Sequence, residues 1–374
     1  MDRPSRDPSY SLPRMRVRGF YDAHNVSVVA VTGVTGYLGR RVLDLLESDD
    51  GVQRVIGIDS EEPIAGSPKL EFHLLDVRDA RLGKIFVGVD CVVHLAFQHD
   101  PIRDEERMRS INVEGTANVL EAAAATGVRK IVYPSSATVY GAHADNDFPL
   151  TESSSLRANE DFVFAAHKLE TERLLDTFRT ARPDIVVTVF RSAIVFGPSV
   201  ENFVSRLMEA PRITTVRGYE PPLQLVHEDD VASAIALAVK TDLDGIYNLA
   251  ADGWLSSDEV VALSGKKRVE LPEAVAFSMA ERLWKTGLTT APPGELHYLM
   301  HPWVVDSSKL RAAGWTPRYS NREALLETIE SHRNWISVGR ARVRKDSLAK
   351  GAAATLGAVG AMALVRRARK RTGT

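Results

Sequence analysis

The stretch Thr32-Gly33-Val34-Thr35-Gly36-Tyr37-Leu38-Gly39 decides the fold of this chain. It follows the apolar run 26–31 and leads into residues 41–46, whose apolar side chains recur at helical spacing. The order strand, glycine-rich turn, helix is therefore predicted. The glycines leave room for a pyrophosphate to approach the backbone, and the helix start offers free N–H groups and the positive end of its dipole.

A second strand is predicted over 54–59, and it ends in Asp59, twenty residues after Gly39. Dinucleotide folds place a carboxylate here that accepts both hydroxyls of the adenosine ribose. A glycine-rich turn in another α/β fold would not require this acid, so the two signals together indicate a dinucleotide site. Asp59 would repel the 2′-phosphate of NADP, which favours NAD. Arg40 and Arg41 are the alternative partners for a phosphate, but arginines at a helix start are commonly solvated.

The bulk composition is that of an ordinary globular protein, with 374 residues, 44% hydrophobic and 26% charged. A net charge of −2 argues against a general nucleic-acid binder. The single cysteine, Cys91, lies in the apolar run 91–96, so neither a disulfide framework nor a cysteine-based zinc site is expected. No metal site is predicted, and a cytoplasmic setting fits. Residues 1–25 lack an apolar core and are interpreted as a disordered leader, not a secretory signal.

Strand and helix patterns alternate from residue 26 onward, which predicts an α/β fold with a doubly wound parallel sheet. A long helix is predicted over 156–179 and a sixth strand over 185–190. Two later stretches interrupt this alternation of strand and helix patterns, and they predict a smaller, discontinuous substrate lobe. The predicted division is a core over 26–190 completed by about 226–250, a lobe over 191–225 and 251–335, and a basic tail over 336–374.

The tail has its own composition. Residues 340–374 hold ten Lys and Arg against one acid, Asp346, and they enclose fifteen uncharged residues at 351–365. As a helix these fifteen would extend about 22 Å, short of a bilayer core of about 30 Å. The flanking basic clusters suit peripheral contact with an anionic membrane surface. A helix packed on its own protein, or a floppy tail, is the competing interpretation.

Together these residues resemble the extended short-chain dehydrogenase/reductase superfamily, in particular its NAD-dependent epimerase/dehydratase branch. The resemblance covers about residues 26–335 and rests on an ordered set of motifs. Besides the glycine turn and Asp59, they are D-V-R-D at 76–79, H-L-A at 94–96, N-V-E-G-T at 112–116, S-S-A-T-V-Y-G at 135–141, Lys168, R-S-A-I-V-F-G-P at 191–198, V-H-E-D-D-V-A at 226–232 and D-S-S-K-L-R-A-A-G-W at 306–315.

The resemblance implies a role for each matching residue. Contacts to the bound NAD are expected along the turn, at the ribose, at the adenine and near the nicotinamide, from Gly33, Thr35, Gly36, Tyr37, Leu38, Gly39, Asp59, Asp76, Val77, Leu95, Ala96 and Asn112. Ser136 matches the hydroxyl that hydrogen-bonds the reacting oxygen. Lys168 matches the lysine that bridges the hydroxyls of the nicotinamide ribose.

One position departs from the family pattern. The family has a tyrosine four residues before the lysine, and its phenol exchanges a proton with the substrate oxygen during hydride transfer. Here that position is Phe164, which has no proton to give. The candidate substitutes are Ser136 acting through water, Tyr140 and His167. A structural role is the simpler interpretation of Tyr140, and exposure to solvent or to a partner subunit is the competing interpretation of His167. The competing hypotheses are an active enzyme with a substitute acid/base, an enzyme whose chemistry needs no phenol, and an NAD-binding protein without turnover.

The substrate side is less informative. Arg206, Arg212 and Arg217 are candidates to meet a nucleotide diphosphate, with solvated arginines as the alternative. Arg191 is expected to pair with Asp230 or to support the nicotinamide loop, and His227 to lie beside the substrate pocket or at a lobe junction. The leading prediction is an NAD-dependent epimerase, dehydratase or reductase acting on an alcohol or ketone carbon, plausibly of a nucleotide sugar. The alternative is a non-catalytic NAD-binding regulator or scaffold. The resemblance also implies a homodimer through helices near 105–126 and 157–180.

Overall fold

The computed structural model describes residues 26–63, 66–102, 104–200, 205, 208–289, 291–338 and 341–345. The predicted leader and most of the predicted membrane-contacting tail lie outside these residues. Among the helices that the structure describes, none is both long and apolar enough to cross a bilayer.

Strands and helices alternate among the described residues from Val28 to Leu249. The strands are β1 (Val28–Thr32), β2 (Arg54–Asp59), β3 (Leu70–Leu74), β4 (Cys91–His94), β5 (Lys130–Ser136), β6 (Val186–Ser192), β7 (Ile194–Phe196), β8 (Arg212–Val216), β9 (Leu225–His227), β10 (Gly245–Leu249), β11 (Lys267–Leu271), β12 (Trp335–Val338) and β13 (Ala341–Arg344). The α-helices are α1 (Tyr37–Glu47), α2 (Leu82–Ile85), α3 (Glu105–Arg109), α4 (Gly115–Thr126), α5 (Val163–Ala181), α6 (Glu228–Lys240), α7 (Ser257–Ser264), α8 (Glu273–Thr286), α9 (Ser308–Ala312) and α10 (Asn321–Ser331). A π-helical turn (Ser110–Glu114) joins α3 to α4, and 3₁₀ turns cover Ala137–Tyr140 and Pro293–Leu299.

Seven strands form the central sheet in the order β10-β6-β5-β4-β1-β2-β3, and every neighbouring pair is parallel. Its central strands are buried on both faces, since two large apolar clusters cover the two sides of the sheet. This confirms the predicted doubly wound α/β fold. The strand order reverses between β1 and β4, where α/β folds of this type bind ligands beyond the carboxyl ends of the strands.

Smaller strand pairs lie outside the central sheet. Strand β8 pairs with β11 and β7 with β9, both in parallel. The β8–β11 pair joins the two stretches assigned to a discontinuous lobe, and the division into core and lobe stays a prediction. Strands β12 and β13 pair antiparallel, so residues 336–338 and 341–344, assigned to the tail, belong to a strand pair.

The helix predicted over 156–179 was placed too early. It begins at Val163 and ends at Ala181, because the preceding residues make specific loop contacts. The Asn159 side chain accepts a hydrogen bond from the Ala142 N–H at 2.9 Å, and Arg157 pairs with Asp145 at 2.9 Å. Such side chain–backbone bonds compete with helix formation.

Candidate active site

A cleft of about 290 Å³ opens at the carboxyl ends of the central strands. It is lined by Gly33, Thr35, Gly36, Tyr37, Leu38, Gly39, Asp59, Ser60, Glu61, Leu95, His99, Pro134 and Lys168. The glycine turn and Asp59 therefore share one cleft with Lys168, although they are more than a hundred residues apart in the chain. The cleft lies at the reversal of strand order, where the fold predicts a ligand.

The turn after β1 requires glycine at two positions for different reasons. Gly33 has φ +71°, and a Cβ there would lie 2.7 Å from the Ala96 nitrogen and 2.8 Å from the Leu95 carbonyl carbon. At Gly39 a Cβ would overlap the Gly33 carbonyl oxygen and lie 2.7 Å from the carbonyl carbon of Val34. All of these are backbone atoms, which cannot swing aside. The glycines thus allow the turn to close tightly against the β4 loop and the first turn of α1.

Gly36 is the N-cap residue of helix α1, and it provides no side-chain hydrogen bond to the first turn. Its first turn contains neither Asp nor Glu, while Tyr37, Leu38 and Gly39 line the cleft. An uncapped helix start with its positive dipole end facing a cleft suits a phosphate group. This end of the cleft can hold the pyrophosphate of a dinucleotide.

Asp59 ends β2 at the rim of the same turn. Its Oδ2 accepts hydrogen bonds from the Thr35 backbone N–H at 2.9 Å and from the Thr35 hydroxyl at 2.7 Å. Its Oδ1 accepts from the Ser60 N–H at 2.7 Å. These bonds fix the carboxylate at the cleft wall while leaving lone pairs for further donors such as ribose hydroxyls.

Lys168 lies at the far end of the cleft, and its side chain is almost fully buried. Its Nζ donates to the Tyr133 hydroxyl at 3.1 Å and to the Pro134 carbonyl at 2.9 Å, and lies 3.7 Å from the centroid of the Phe97 ring. Burial lowers the pKa of Lys168 to about 7, and Glu172 opposes this shift. The Lys168 nitrogen is thus held by aromatic faces and by two oxygen acceptors.

Phe164 lies in a group of aromatic rings beside this lysine. Its ring centroid is 5.7 Å from that of Phe97, 5.9 Å from that of His99 and 5.6 Å from that of Phe162. The position that carries a phenol in the family is therefore filled by packing between rings. Within the described residues, the His99 imidazole therefore lies next to the Phe164 ring, at the position where the family has a hydroxyl.

His99, Phe97, Tyr133 and Pro134 did not emerge from the sequence analysis. A usable signal was present for the first two, since both directly follow the H-L-A motif at the carboxyl end of β4, where ligands bind in this fold. For Tyr133 and Pro134 no such signal exists, because their relation to Lys168 depends on how α5 packs on β5.

Several residues expected at the site do not line this cleft. Asp76 pairs with Arg78 at 2.7 Å, and Val77 is buried in the apolar core. Asn112 is fully buried, and its side chain binds the backbone N–H of Gln98 at 2.7 Å and the Gln98 carbonyl at 3.2 Å. Ala96 donates its N–H to the Thr32 hydroxyl at 3.2 Å. Their predicted cofactor contacts stay predictions, and Asn112 has a visible role as a clamp on the loop after β4.

The candidate substitutes for the phenol are also placed elsewhere. The Ser136 hydroxyl accepts from the Thr138 N–H at 3.2 Å and from the Thr138 hydroxyl at 3.0 Å, and is not part of the cleft wall. His167 is buried, with Nδ1 3.4 Å from the Asn112 side-chain nitrogen, so it does not face solvent. Tyr140 is fully buried, and its hydroxyl donates to Asn248 at 2.7 Å, which supports the structural interpretation of this residue.

Arg191 does not pair with Asp230. Its guanidinium donates to both carboxylate oxygens of Glu172, at 2.9 Å and 2.7 Å to Oε2, and to the Tyr140 hydroxyl at 2.9 Å. Asp230 instead accepts from the Arg318 N–H at 2.9 Å and the Tyr319 N–H at 3.0 Å. The predicted pairing with Asp230 is wrong because Arg191 contacts Glu172 of α5, which packs on the face of the sheet opposite to α6 and Asp230.

Of the remaining charged candidates, Arg212 and Arg217 are exposed. Arg41 pairs with Glu228 at 3.0 Å, which does not favour a role at a 2′-phosphate. His227 is buried, stacks on Tyr319 with centroids 3.7 Å apart and lies 3.1 Å from Glu327, as expected for a junction residue. Arg206 lies outside the described residues. Within the described part of the chain no group of His, Cys, Asp or Glu has the arrangement of a metal site.

The chain is similar to several known proteins. An uncharacterized protein of Mycobacterium tuberculosis is 28% identical over 333 residues, covering 84% of this chain and 89% of that protein. The dTDP-D-glucose 4,6-dehydratase of Mus musculus is 25% identical over 342 residues, covering 84% and 92%. The structure of Thermus thermophilus UDP-glucose 4-epimerase in complex with NAD matches with a TM-score of 0.63 at 24% identity, covering 82% of this chain and 99% of the epimerase. The family model of the NAD dependent epimerase/dehydratase family matches residues 29–250, more than half of the chain, and the protein therefore belongs to this family.

Proposed function

We propose that this protein is an NAD-dependent oxidoreductase of the epimerase/dehydratase type that acts on an alcohol or ketone carbon of a nucleotide sugar. The observation that carries the proposal is the single cleft that joins the glycine turn and Asp59 to Lys168. A protein that merely retained the fold would not need a buried, positively charged side chain at the end of that cleft.

The residues of the cleft fit an extended dinucleotide. The start of α1 would hold the pyrophosphate, Asp59 would accept the adenosine ribose hydroxyls, and Lys168 would donate to the hydroxyls of the nicotinamide ribose. The carboxylate of Asp59 favours NAD over NADP because a 2′-phosphate would be repelled. When bound, NAD supplies the acceptor for a hydride from the substrate carbon.

The nucleotide-sugar class is supported by the relatives. The mouse relative is named as a dTDP-glucose dehydratase and the Thermus structure as a UDP-glucose epimerase. Both names describe chemistry at a sugar carbon that carries a hydroxyl or a carbonyl. We extend this substrate class to the present chain.

Phe164 makes the mechanism atypical, because the side chain beside Lys168 has no exchangeable proton. The same residue is the observation that favours the alternative, an NAD-binding regulator or scaffold without turnover. The two functions differ in one property, namely whether an added sugar is converted, with bound NAD reduced at least transiently.

The test combines calorimetry with an assay of NAD reduction. Purified protein is titrated with NAD and NADP and then mixed with UDP- and dTDP-linked sugars, while rapid-mixing absorbance reports transient reduction of bound NAD and chromatography reports conversion of the sugar. We expect wild-type turnover to fall by a factor of roughly 100 or more in Lys168→Ala and to be unchanged in Lys285→Ala, whose lysine is exposed on α8. Activity that appears only in Phe164→Tyr would favour the regulator. No heat with either dinucleotide would contradict both functions.

We further propose that the protein is a homodimer through the region of α4 and α5, as the family resemblance implies. Peripheral membrane contact through 340–374 also stays a proposal, because most of that segment lies outside the described residues.

A further inference from the structure

The proposed reaction needs a group that exchanges a proton with the substrate oxygen, and Phe164 cannot supply it. The titratable side chains that line the cleft are Tyr37, Asp59, Glu61, His99 and Lys168. Tyr37 belongs to the first turn of α1, and Asp59 and Glu61 lie at the end of β2, all at the expected adenosine and pyrophosphate end. Only His99 and Lys168, among the described residues, lie at the other end.

The His99 imidazole lies against the ring that replaces the phenol. Its centroid is 5.9 Å from that of Phe164, with the two planes inclined by 32°, and 5.4 Å from that of Phe97. The same Phe97 ring carries the Lys168 ammonium at 3.7 Å on its face. Phe97 thus places the imidazole and the lysine at one site, which is the pairing of acid/base and lysine that the family builds with a tyrosine.

The loop that carries His99 is held in place. The Asn112 side chain accepts a hydrogen bond from the Gln98 N–H at 2.7 Å and donates one to the Gln98 carbonyl at 3.2 Å. Both backbone polar groups of Gln98 are therefore bonded to one buried side chain. Gln98 is adjacent to His99 in the chain. A fixed backbone on one side and aromatic packing on the other restrict where the imidazole can point, as a proton-transferring group requires.

The His99 imidazole is uncharged near pH 7 in the protein without bound cofactor. Burial and the nearby Lys168 lower its pKa to about 3, while a hydrogen bond with the backbone of Phe97 opposes the shift. The imidazole is neutral near pH 7 and has one ring nitrogen able to accept a proton. The competing groups are engaged: His94 contacts Thr32 and Thr116 through its two ring nitrogens at 2.7 Å and 2.9 Å, and the Tyr133 hydroxyl accepts from Lys168.

We propose that His99 takes the place of the missing tyrosine as the residue that exchanges the proton with the substrate oxygen. The inference rests on the proposed function. In the forward direction the substrate O–H proton passes to a free ring nitrogen of His99, and the hydrogen on the same carbon leaves with its electron pair for the nicotinamide dinucleotide. The alcohol carbon becomes a carbonyl, the dinucleotide is reduced and the imidazole becomes an imidazolium. Return of proton and hydride restores the alcohol and both partners.

The first test measures the reduction of bound NAD by UDP- and dTDP-sugars in wild type, His99→Gln and His99→Gln/Phe164→Tyr. We expect His99→Gln to bind NAD within about threefold of wild type and to reduce it at least roughly 100-fold more slowly. The double variant should regain at least about tenfold, because it returns a phenol to the family position. His73→Gln on the exposed edge strand β3 is the matched control and should equal wild type.

The second test does not depend on turnover. The His99 resonances in a histidine NMR spectrum are assigned by their absence in His99→Gln. We expect the pattern of a neutral imidazole at pH 6 and a change in its shifts when NAD is added.

The outcomes separate the two levels of the proposal. A His99→Gln variant that reduces NAD as fast as wild type, or His99 resonances that do not respond to bound NAD, overturns the role of His99 and leaves the proposed function standing. A wild type that does not bind NAD, or that binds NAD but neither reduces it transiently nor converts any sugar tested, overturns the proposed function and with it the role of His99.

Discussion

At the scale of a single residue, Lys168 should make the stability of the fold depend on pH. Its pKa is about 7 in the folded protein and about 10.4 in an unfolded chain. Between these values the unfolded state binds more protons, so stability rises with pH. We expect the difference in free energy of unfolding between wild type and Lys168→Met to shift in favour of wild type by up to about 1.4 kcal/mol per pH unit between pH 7.5 and 9.5, as measured by urea denaturation. Lys285→Met, at an exposed lysine on α8, should run parallel to wild type. If the free energy of unfolding of Lys168→Met changed with pH in parallel with that of wild type, the lowered pKa of Lys168 would be contradicted.

At the scale of elements, a buried ion pair fastens α5 to β6. Glu172 and Arg191 are only 4% and 3% exposed, and Ser135 of β5 also donates to Glu172. Removing one charge leaves the other buried and unpaired, so Glu172→Gln should lower the free energy of unfolding by roughly 3–5 kcal/mol. The double variant Glu172→Gln/Arg191→Met should recover much of that loss. Glu281→Gln, which breaks the exposed pair with Lys285 on α8, should change stability by less than about 0.5 kcal/mol. If chemical denaturation showed equal losses of stability for Glu172→Gln and Glu281→Gln, burial would not determine the cost of breaking an ion pair.

At the scale of the whole molecule, the proposed homodimer places the exposed face of α5 at a two-fold interface. Thr177 is exposed on this helix, and in a two-fold interface each substitution occurs twice. Thr177→Arg should therefore shift sedimentation from two copies of the 41.1 kDa chain toward one. Thr286→Arg makes the same change on the exposed surface of α8 and should remain dimeric. Wild type sedimenting as a single chain would rule the proposal out.

Signals that lie close together in the chain predicted the fold well. The turn 32–39 and Asp59 are separated by twenty residues, and a strand, a turn and a helix each follow from local spacing and backbone preference. Nine residues that the sequence assigned to one site line one cleft, namely Gly33, Thr35, Gly36, Tyr37, Leu38, Gly39, Asp59, Leu95 and Lys168, and their contacts with a dinucleotide stay predictions. The start of α5 was misplaced because the bonds that hold Asn159 and Arg157 in a loop come from residues up to 17 positions away.

The sequence by itself determined the doubly wound sheet, the glycine-rich turn and the absence of a phenol at position 164, because each depends on residue identity and local order. Tertiary structure alone decided that His99 lies against Phe164, that Arg191 pairs with Glu172 and that Asn112 clamps Gln98. These contacts join residues 14 to 65 positions apart in the chain, so they depend on how separate elements pack together. Side-chain contacts of this kind depend on packing geometry, which local sequence patterns do not predict.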